Sequence, residues 1–340
     1  MRAVYVAEID KVEVVDREVP VPGPGEVRVQ TVLAGICGSD THAVAGHHPL
    51  LPPPYFPGHE ATGVVDELGA GVSGWTKGER VIVKPNVSCG ECVNCKAGRT
   101  NACQTLQWIG CDPSGAHKGA MAGYVIVPAG NLFRVPDDVT DEQAVLVECL
   151  ATPVHAARIA GDLHGAKALV IGAGTIGLFS LIAALRAGAS PVVVSDLDPT
   201  KRDRAVRCGA KAAIDPAAGD LPAKVRELLG GPADVVFDCV ANDFSVKDAV
   251  ASVRRSGTVL IVGVPPRDIT VPLPFVQDWE LTVQGCANYT GADIDTAIAI
   301  AAGGGLPAAE VIAATYSIED APAAFAAAAQ NSSGKVVLKP

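Results

Sequence analysis

Four cysteines share one loop of the chain, Cys89, Cys92, Cys95 and Cys103, with the spacing C-x2-C-x2-C-x7-C. Thiolates bind zinc well, and four of them leave no open coordination position, which is typical of a structural site. Disulfides would require an oxidising compartment. A ferredoxin-type run closes after three residues and continues with proline, whereas seven residues and then Gln104 occur here. The spacing therefore predicts a structural zinc site.

The charge of that predicted site needs compensation. Four thiolates outweigh the charge of one divalent zinc ion, so the site as a whole is anionic. Lys96 and Arg99 lie within the same loop. We expect these two cations to offset the negative charge.

A second set of potential ligands is spread along the chain and differs in composition. Cys37 follows a predicted strand, His59 and Glu60 precede another, and Glu148 lies much later. A catalytic zinc takes three protein ligands and keeps one position open for water or substrate. One thiolate, one imidazole and one carboxylate satisfy this requirement and neutralise the divalent charge. The residues alone do not decide between Glu60 and Glu148 as the carboxylate ligand.

The other cysteines and several histidines show no comparable spacing. A cysteine outside such a cluster usually behaves as a small hydrophobic residue. We therefore assign the following residues to packing, to the surface or to loops: Cys111, Cys149, Cys208, Cys239 and Cys286, with His47, His48, His117 and His164.

A glycine-rich motif, Gly172-Ala-Gly-Thr-Ile-Gly177, follows a β-type run and opens a helical pattern. In this context the first glycine permits a tight turn, and the second lets the backbone approach a pyrophosphate at the helix N-terminus. The third lets the helix pack closely on the strand. The motif therefore predicts a dinucleotide site.

The type of dinucleotide depends on residues beyond the glycines. Asp196 lies nineteen residues after Gly177, at the end of the next predicted strand. A carboxylate there accepts hydrogen bonds from ribose hydroxyls and repels a 2′-phosphate, which favours NAD over NADP. Lys201 and Arg202 follow closely and could bind such a phosphate, which weakens the preference. The candidate cofactor contacts are Gly172, Gly174, Thr175, Ile176, Gly177, Asp196, Lys201, Val240 and Val264.

The elements that position these residues change character along the chain. Before about residue 140, short alternating runs and turns rich in Pro and Gly indicate a β-rich domain, with a hairpin at 63–72. From 141 to 262, strands alternate with helices, which predicts a parallel, doubly wound α/β sheet. The run 334–340 predicts a final strand, whose partner the pattern does not identify.

Composition excludes several classes of partner. The chain has 340 residues and a net charge of −10, so it lacks the basic surface that nucleic acids or anionic membranes require.

The uncharged run 168–185 contains three glycines and is predicted to be a strand, a turn and a helix instead of a membrane span. Ten cysteines without a recognisable signal peptide favour the reducing cytoplasm.

Together these motifs resemble the zinc-dependent medium-chain alcohol dehydrogenase family, in its sorbitol and threonine dehydrogenase branch. The motifs that carry the resemblance occur in the family's order along essentially the whole chain: 35–42, 57–63, 89–103 and 172–177. The resemblance implies a GroES-like β-rich catalytic domain plus a Rossmann domain. The expected boundaries are 1–150 and 285–340 for the catalytic domain, about 86–106 for its structural-zinc lobe, and 151–284 for the NAD-binding domain.

The resemblance also implies an activity and roles for individual residues. Hydride transfer to NAD would interconvert a secondary alcohol or polyol, including a sugar or aminocyclitol, and its ketone. Two zinc ions per chain, a small-molecule substrate and a homodimer or homotetramer are expected. Some relatives use the residue at the place of Glu60 as a zinc ligand and others the one at the place of Glu148, so the resemblance is compatible with ligand exchange during turnover. Ser39 and His42 match the relay that removes the substrate proton.

Two alternatives belong to other functional classes. A zinc-free quinone reductase of the same superfamily would lack the cysteine loop and the pair Cys37 and His59. A non-enzymatic zinc- and NAD-binding redox sensor would have no use for Ser39, His42 or Glu148. A metal assay combined with an NAD-linked activity screen separates these alternatives from a dehydrogenase.

Overall fold

The structure is a computed structural model that describes residues 1–48, 51–112, 114–265, 267–330 and 334–340. The chain forms two compact units, one of Met1–Glu148 together with Thr290–Pro340 and one of Cys149–Tyr289. In this described part of the chain, no helix combines the length and the apolar character needed to cross a bilayer.

Strands and helices alternate irregularly at first and regularly later. The strands are β1 (Arg2–Glu8), β2 (Lys11–Asp16), β3 (Glu26–Ile36), β4 (Glu60–Leu68), β5 (Arg80–Val83), β6 (Asn86–Val87), β7 (Gln107–Trp108), β8 (Tyr124–Pro128), β9 (Leu132–Arg134), β10 (Ala168–Ile171), β11 (Val192–Ser195), β12 (Ala212–Ile214), β13 (Ala233–Asp238), β14 (Val253–Ile261), β15 (Thr282–Gly285), β16 (Ile312–Ser317) and β17 (Lys335–Lys339). The helices are α1 (Gly38–Val44), α2 (Val93–Lys96), α3 (Asp141–Ile159), α4 (Thr175–Arg186), α5 (Pro199–Arg207), α6 (Leu221–Leu229), α7 (Asp243–Ser252), α8 (Leu273–Asp278), α9 (Gly291–Ala302), α10 (Ala308–Val311) and α11 (Ala321–Gln330).

The first unit is built on a seven-stranded sheet. Its order is β16, β17, β3, β4, β5 and β9, and β8 pairs with the N-terminal half of β3. Alternate residues of β3, such as Val27 and Val29, are buried against Val65, Val81 and Val125, as the two-residue period of a strand requires. The predicted β-rich domain is therefore confirmed.

The predicted hairpin at 63–72 is wrong. Residues of this stretch belong to β4, which pairs with β3 on one side and β5 on the other. The backbone turns at Gly71 and Gly74, both with positive φ, so the chain leaves the extended conformation before a second strand can form. Of the valines in this stretch, Val65 is buried in the core of the larger sheet, and the partly buried Val72 packs against that core.

The final strand returns to the first unit. β17 pairs with β3 in antiparallel fashion, with Val336 opposite Ile36 and Leu338 opposite Ala34, and in parallel fashion with β16. The sequence pattern predicted this strand and left its partner open. The pairing brings Lys335, the first residue of β17, next to the end of β3.

The second unit contains a six-stranded parallel sheet in the order β12, β11, β10, β13, β14 and β15. The predicted doubly wound α/β fold is therefore confirmed. The uncharged run 168–185 forms β10 and most of α4, as expected. Because the strand order reverses beside β10, the carboxyl edge there is the switch point at which open α/β sheets bind ligands.

The turn between β10 and α4 depends on close backbone contact. Gly172 has a φ of +91°, which a side chain rarely permits. A Cβ added at Gly177 would lie 1.8 Å from the carbonyl oxygen of Gly172. Gly177 is therefore required for the helix to start directly on the turn.

Gly177→Ala should lower the free energy of unfolding by about 2 kcal/mol, because the methyl group has to displace backbone. Gly285→Ala in β15 is the control, since a Cβ there has no neighbour within 4 Å. Urea denaturation measures both variants. Equal stability of the two variants would contradict the close contact.

Candidate active site

The pairing of β3 with β4 brings three predicted zinc ligands together. Gly35, near the end of β3, lies opposite Glu60 at the start of β4. Cys37 follows β3 as the N-cap residue of α1, and His59 directly precedes β4. One ligand atom of each residue, Cys37, His59 and Glu60, consequently lies within 4.8 Å of the others.

The donor set of this trio suits a zinc ion. His59 and Glu60 are buried, and Glu60 Oε2 has no hydrogen-bond partner among the described residues. Gly35 leaves space for this oxygen, because a Cβ there would lie 2.2 Å from it. A buried polar atom without a partner is unfavourable, and a metal ion held by the thiolate, the imidazole and this carboxylate would satisfy it.

A buried cation holds the other oxygen of Glu60. Lys335 Nζ lies 2.6 Å from Glu60 Oε1, and both side chains are less than 5% exposed. Burial disfavours the carboxylate charge, but Lys335 and His59 outweigh burial, so the pKa of Glu60 is lowered. Sequence reasoning missed Lys335, because the two residues are 275 positions apart and no local pattern connects them.

The Nδ1 atom of His59 has two further polar neighbours. It lies 3.3 Å from Cys111 Sγ and 3.6 Å from Asp40 Oδ1. Asp40 is fully buried, and its Oδ2 accepts a hydrogen bond from the Cys37 N–H at 2.9 Å. Burial lowers the pKa of His59, but the charges of Cys111 and Asp40 outweigh burial and raise it overall. A carboxylate on Nδ1 is a common way to orient a metal-binding imidazole.

Cys111 packs against a hydrophobic cluster, as assigned from the sequence, and its Sγ also contacts His59, which the sequence did not indicate. A Cβ at Gly110 would lie 2.4 Å from the carbonyl oxygen of Gly58, so two backbone segments touch at this point. Because Cys111 follows Gly110 and His59 follows Gly58, this backbone contact brings the two side chains together. Asp40 was also missed, although its position in the first turn after Cys37 is typical of a capping residue.

The other predicted catalytic residues, Ser39, His42 and Glu148, lie outside the trio. Ser39 is half-buried and His42 exposed on α1, three positions apart and hence on one helix face. No hydrogen bond joins their side chains among the described residues. Glu148 is buried in α3, and among the described residues no trio of ligand atoms within 4.8 Å includes it.

The four cysteines of the loop converge on one point. Their sulfur atoms lie within 4.8 Å of one another, with Cys89 Sγ 3.5 Å from Cys103 Sγ and 3.9 Å from Cys95 Sγ. The backbone N–H groups of Glu91 and Cys92 lower the pKa of Cys89 to about 6. Four converging sulfurs are a donor set that zinc prefers.

The predicted dinucleotide contacts lie along the carboxyl edge of the parallel sheet. Gly172 follows β10, Asp196 follows β11, and Val240 and Val264 follow β13 and β14. Val240 and Val264 are exposed, and a Cβ at Gly172 would lie 2.8 Å from Val240 Cγ2. Gly174 caps α4, which begins with Thr175, Ile176 and Gly177, and Lys201 lies in α5.

Asp196 contacts the glycine turn directly. Its Oδ2 accepts a hydrogen bond from the Ala173 N–H at 2.6 Å, and its Oδ1 accepts one from the Asp198 N–H at 2.8 Å. Arg202 donates to the Asp196 carbonyl oxygen at 2.7 Å and lies 3.5 Å from the Asp215 carboxylate. The Arg202 guanidinium group therefore already has two acceptors, the Asp196 carbonyl oxygen and the Asp215 carboxylate.

Known proteins match both units of the chain. Residues 23–137 match the family model described as alcohol dehydrogenase GroES-like domain, and residues 175–303 match the one described as zinc-binding dehydrogenase. Sorbitol dehydrogenase of Bacillus subtilis (strain 168) is 30% identical over 100% of this chain and 97% of its own length.

Solved structures agree along the whole chain. A Sinorhizobium meliloti 1021 protein described as a zinc-binding dehydrogenase, bound to NADP, has a TM-score of 0.93 and 32% identity, covering 100% of this chain and 99% of its own. An alcohol dehydrogenase of Escherichia coli CFT073 complexed with NADH has a TM-score of 0.92 and 28% identity, with the same coverage. The two neighbours hold different nicotinamide nucleotides, so the likeness does not separate NAD from NADP.

A parallel sheet with a glycine turn, combined with cysteine, histidine and glutamate groups that could bind zinc, defines a zinc-binding dehydrogenase. The chain belongs to the zinc-dependent medium-chain alcohol dehydrogenase family.

Lys335→Met should lower the free energy of unfolding by about 3 kcal/mol, because it leaves the Glu60 carboxylate buried without its cation. Lys339→Met is the matched control, since Lys339 is exposed on the same strand. Denaturant titration measures both. The double variant Lys335→Met with Glu60→Gln should recover part of the lost stability. An equal loss of stability in Lys335→Met and in the control Lys339→Met would contradict the ion pair.

Proposed function

We propose that this protein oxidises a secondary alcohol or polyol reversibly to the ketone, with zinc at Cys37, His59 and Glu60 and NAD as the hydride acceptor. The observation that carries the proposal is the convergence of these three side chains, with a buried Glu60 oxygen that lacks a partner among the described residues. Membership of a zinc-dependent dehydrogenase family supports the reaction class. The sorbitol dehydrogenase relative supports a polyol, and a sugar or aminocyclitol falls within that class.

In this proposal the residues of the chain bind and move charge around the reacting hydroxyl. A zinc ion at the trio would act as a Lewis acid that lowers the pKa of that hydroxyl, and the nicotinamide would accept the hydride. Ser39 accepts the hydroxyl proton as its own hydroxyl proton leaves in the direction of His42, and His42, one turn later and exposed, releases a proton to solvent. The Asp40 carboxylate, 3.6 Å from His59 Nδ1, places a negative charge beside the ring. Lys335 keeps Glu60 ionised and available as a ligand.

The two units take different roles in the proposal. The unit Met1–Glu148 with Thr290–Pro340 is the catalytic domain, and its loop at 86–106 is the structural-zinc lobe. The unit Cys149–Tyr289 is the dinucleotide domain. We propose Glu60 instead of Glu148 as the carboxylate ligand, because Glu60 alone of the two belongs to a close trio in the described residues.

The coenzyme preference follows from charge at the end of β11. The Asp196 carboxylate lies beside the glycine turn, where it would repel a 2′-phosphate. Arg202 is engaged by the Asp196 carbonyl and by Asp215, which reduces its availability to bind that phosphate. Both observations support NAD as the coenzyme.

We further propose a homodimer or homotetramer in the cytoplasm. β15 is an edge strand of its sheet, and the neighbouring α8 exposes Leu273 and Phe275. Exposed strand edges and apolar side chains are typical of surfaces that another chain covers. The free thiols suit a reducing compartment. A monomeric mass in light scattering would contradict the oligomer.

The two alternative functions lack such support. A zinc-free quinone reductase does not require the cysteine loop or the trio, yet both sets of side chains converge. A redox sensor does not explain the similarity to dehydrogenases over the full chain.

Cys37→Ser should reduce kcat/KM by more than about 1,000-fold, because a lost Lewis acid removes several kcal/mol of transition-state stabilisation. The melting temperature should change little. Cys92→Ser should instead lower the melting temperature by about 5–10 °C, because structural zinc contributes folding energy. An NAD-linked assay over polyols, secondary alcohols and amino alcohols, combined with calorimetry, measures both. Identical behaviour of the two variants would contradict separate catalytic and structural sites.

Asp196→Asn should raise the NADP-to-NAD ratio of kcat/KM by about tenfold, because the substitution removes a negative charge that would repel the 2′-phosphate. The amide oxygen can still accept the hydrogen bond from Ala173, so the turn is kept. Asp203→Asn, exposed on α5, is the control and should leave the ratio unchanged. Steady-state kinetics with both coenzymes measures the ratio, and an unaltered ratio in Asp196→Asn would contradict the assignment.

A further inference from the structure

A buried cation lies at the base of the four-cysteine loop. Lys84 follows β5 and is 8% exposed. Its Nζ donates a hydrogen bond at 2.8 Å to the carbonyl oxygen of Asn86. Asn86 begins β6, and β6 pairs with β7 to form the base from which the loop emerges. The ammonium group therefore lies where the chain enters the loop.

Lys84 lacks a carboxylate partner in the part of the chain that the structure describes. Among the described residues no Asp or Glu lies within ion-pair distance of its Nζ, although the other buried lysine, Lys335, has one. Burial lowers the pKa of Lys84, and a thiolate at Cys95 would oppose this effect. Cys95 carries that charge when it is deprotonated as a zinc ligand. An ammonium group taken out of water needs a counter-charge nearby. The Cys95 sulfur is the candidate that the structure provides.

The cations expected from the sequence are poorly placed for this purpose. Lys96 and Arg99 lie on the loop itself, but both side chains are exposed. Exposed charges are surrounded by water and screened by salt, so they stabilise an anionic site only weakly. A buried ammonium interacts more strongly with the same charge, because less water lies between the two.

We propose that Lys84 is the counter-charge of the four-thiolate zinc site and retains the metal in the loop. Zinc bound by four thiolates carries a net negative charge, and the Lys84 ammonium supplies the opposite charge from the protein side. Each charge stabilises the other, because the zinc-bound loop, which is anionic, also compensates the buried Lys84 ammonium. This inference rests on the structural zinc of the proposed function and is independent of the dehydrogenase reaction.

Zinc release from the full-length protein tests this role. In a Cys37→Ala background, the four-cysteine loop keeps its complete ligand set while the trio does not. Excess 4-(2-pyridylazo)resorcinol then reports the release rate by absorbance. Lys84→Met should accelerate release by about tenfold or more, because a buried charge interaction is lost. Lys84→Arg keeps the charge and should release zinc at close to the rate of the unsubstituted background.

Two surface variants provide the matched control. Lys96→Met and Arg99→Met remove exposed charges from the same loop and should leave the rate unchanged. The proposal is overturned if Lys84→Met releases zinc at the background rate, or if Lys96→Met accelerates release as much as Lys84→Met does. It is also overturned if Lys84→Arg is as fast as Lys84→Met, since packing and not charge would then be responsible.

Salt dependence gives a readout that needs no substitution at Lys84. Compensation by a buried cation predicts a release rate that hardly changes on adding about 0.5 M NaCl, whereas compensation by surface cations predicts faster release. Elemental analysis of the Cys37→Ala protein completes the test. A loop without zinc would refute the role of Lys84, while alcohol oxidation by the unsubstituted protein would still support the trio.

Discussion

A buried ion pair between Glu60 and Lys335 connects the candidate metal site to the last strand of the chain. A carboxylate in this position can stay ionised only with a cation beside it, and Lys335 can stay charged only with an anion beside it. The pairing of β17 with β3 supplies the cation. The absent side chain at Gly35 leaves space for the second carboxylate oxygen. The metal site therefore depends on residues from both ends of the first unit.

The two candidate zinc sites solve opposite electrostatic problems. With a divalent ion bound, the trio would supply one thiolate, one imidazole in its neutral form and one carboxylate, which together would neutralise the ion and leave a position for a substrate oxygen. The cysteine loop combines four thiolates and is anionic when loaded. Asp40 and Cys111 surround the His59 ring at the first site, whereas Lys84 lies below the second. The local charges therefore suit the trio to a catalytic zinc ion and the four-cysteine loop to a structural zinc ion.

The dinucleotide edge follows from strand order. Because β10 lies between β11 and β13, the loops that follow these strands gather Gly172, Asp196 and Val240 along one edge. Asp196 accepts a hydrogen bond from the glycine turn, so the group expected to select the coenzyme also supports the turn that would approach its pyrophosphate. Coenzyme specificity and support of the turn therefore both involve the Asp196 side chain.

Much of this protein was determined by local sequence. The cysteine spacing, the glycine motif and the alternation of strands and helices lie within short segments, so the α/β class and the four-sulfur cluster could be predicted. Lys335, Asp40 and Cys111 could not, because strand register and backbone contact at Gly110 bring them to Glu60 and His59. Burial is likewise a property of the packed chain and is not visible in local sequence. Lys96 and Arg99 were therefore expected to compensate the negative charge of the four-cysteine loop. Only the tertiary structure decides which charges are out of water, and therefore which of them interact strongly.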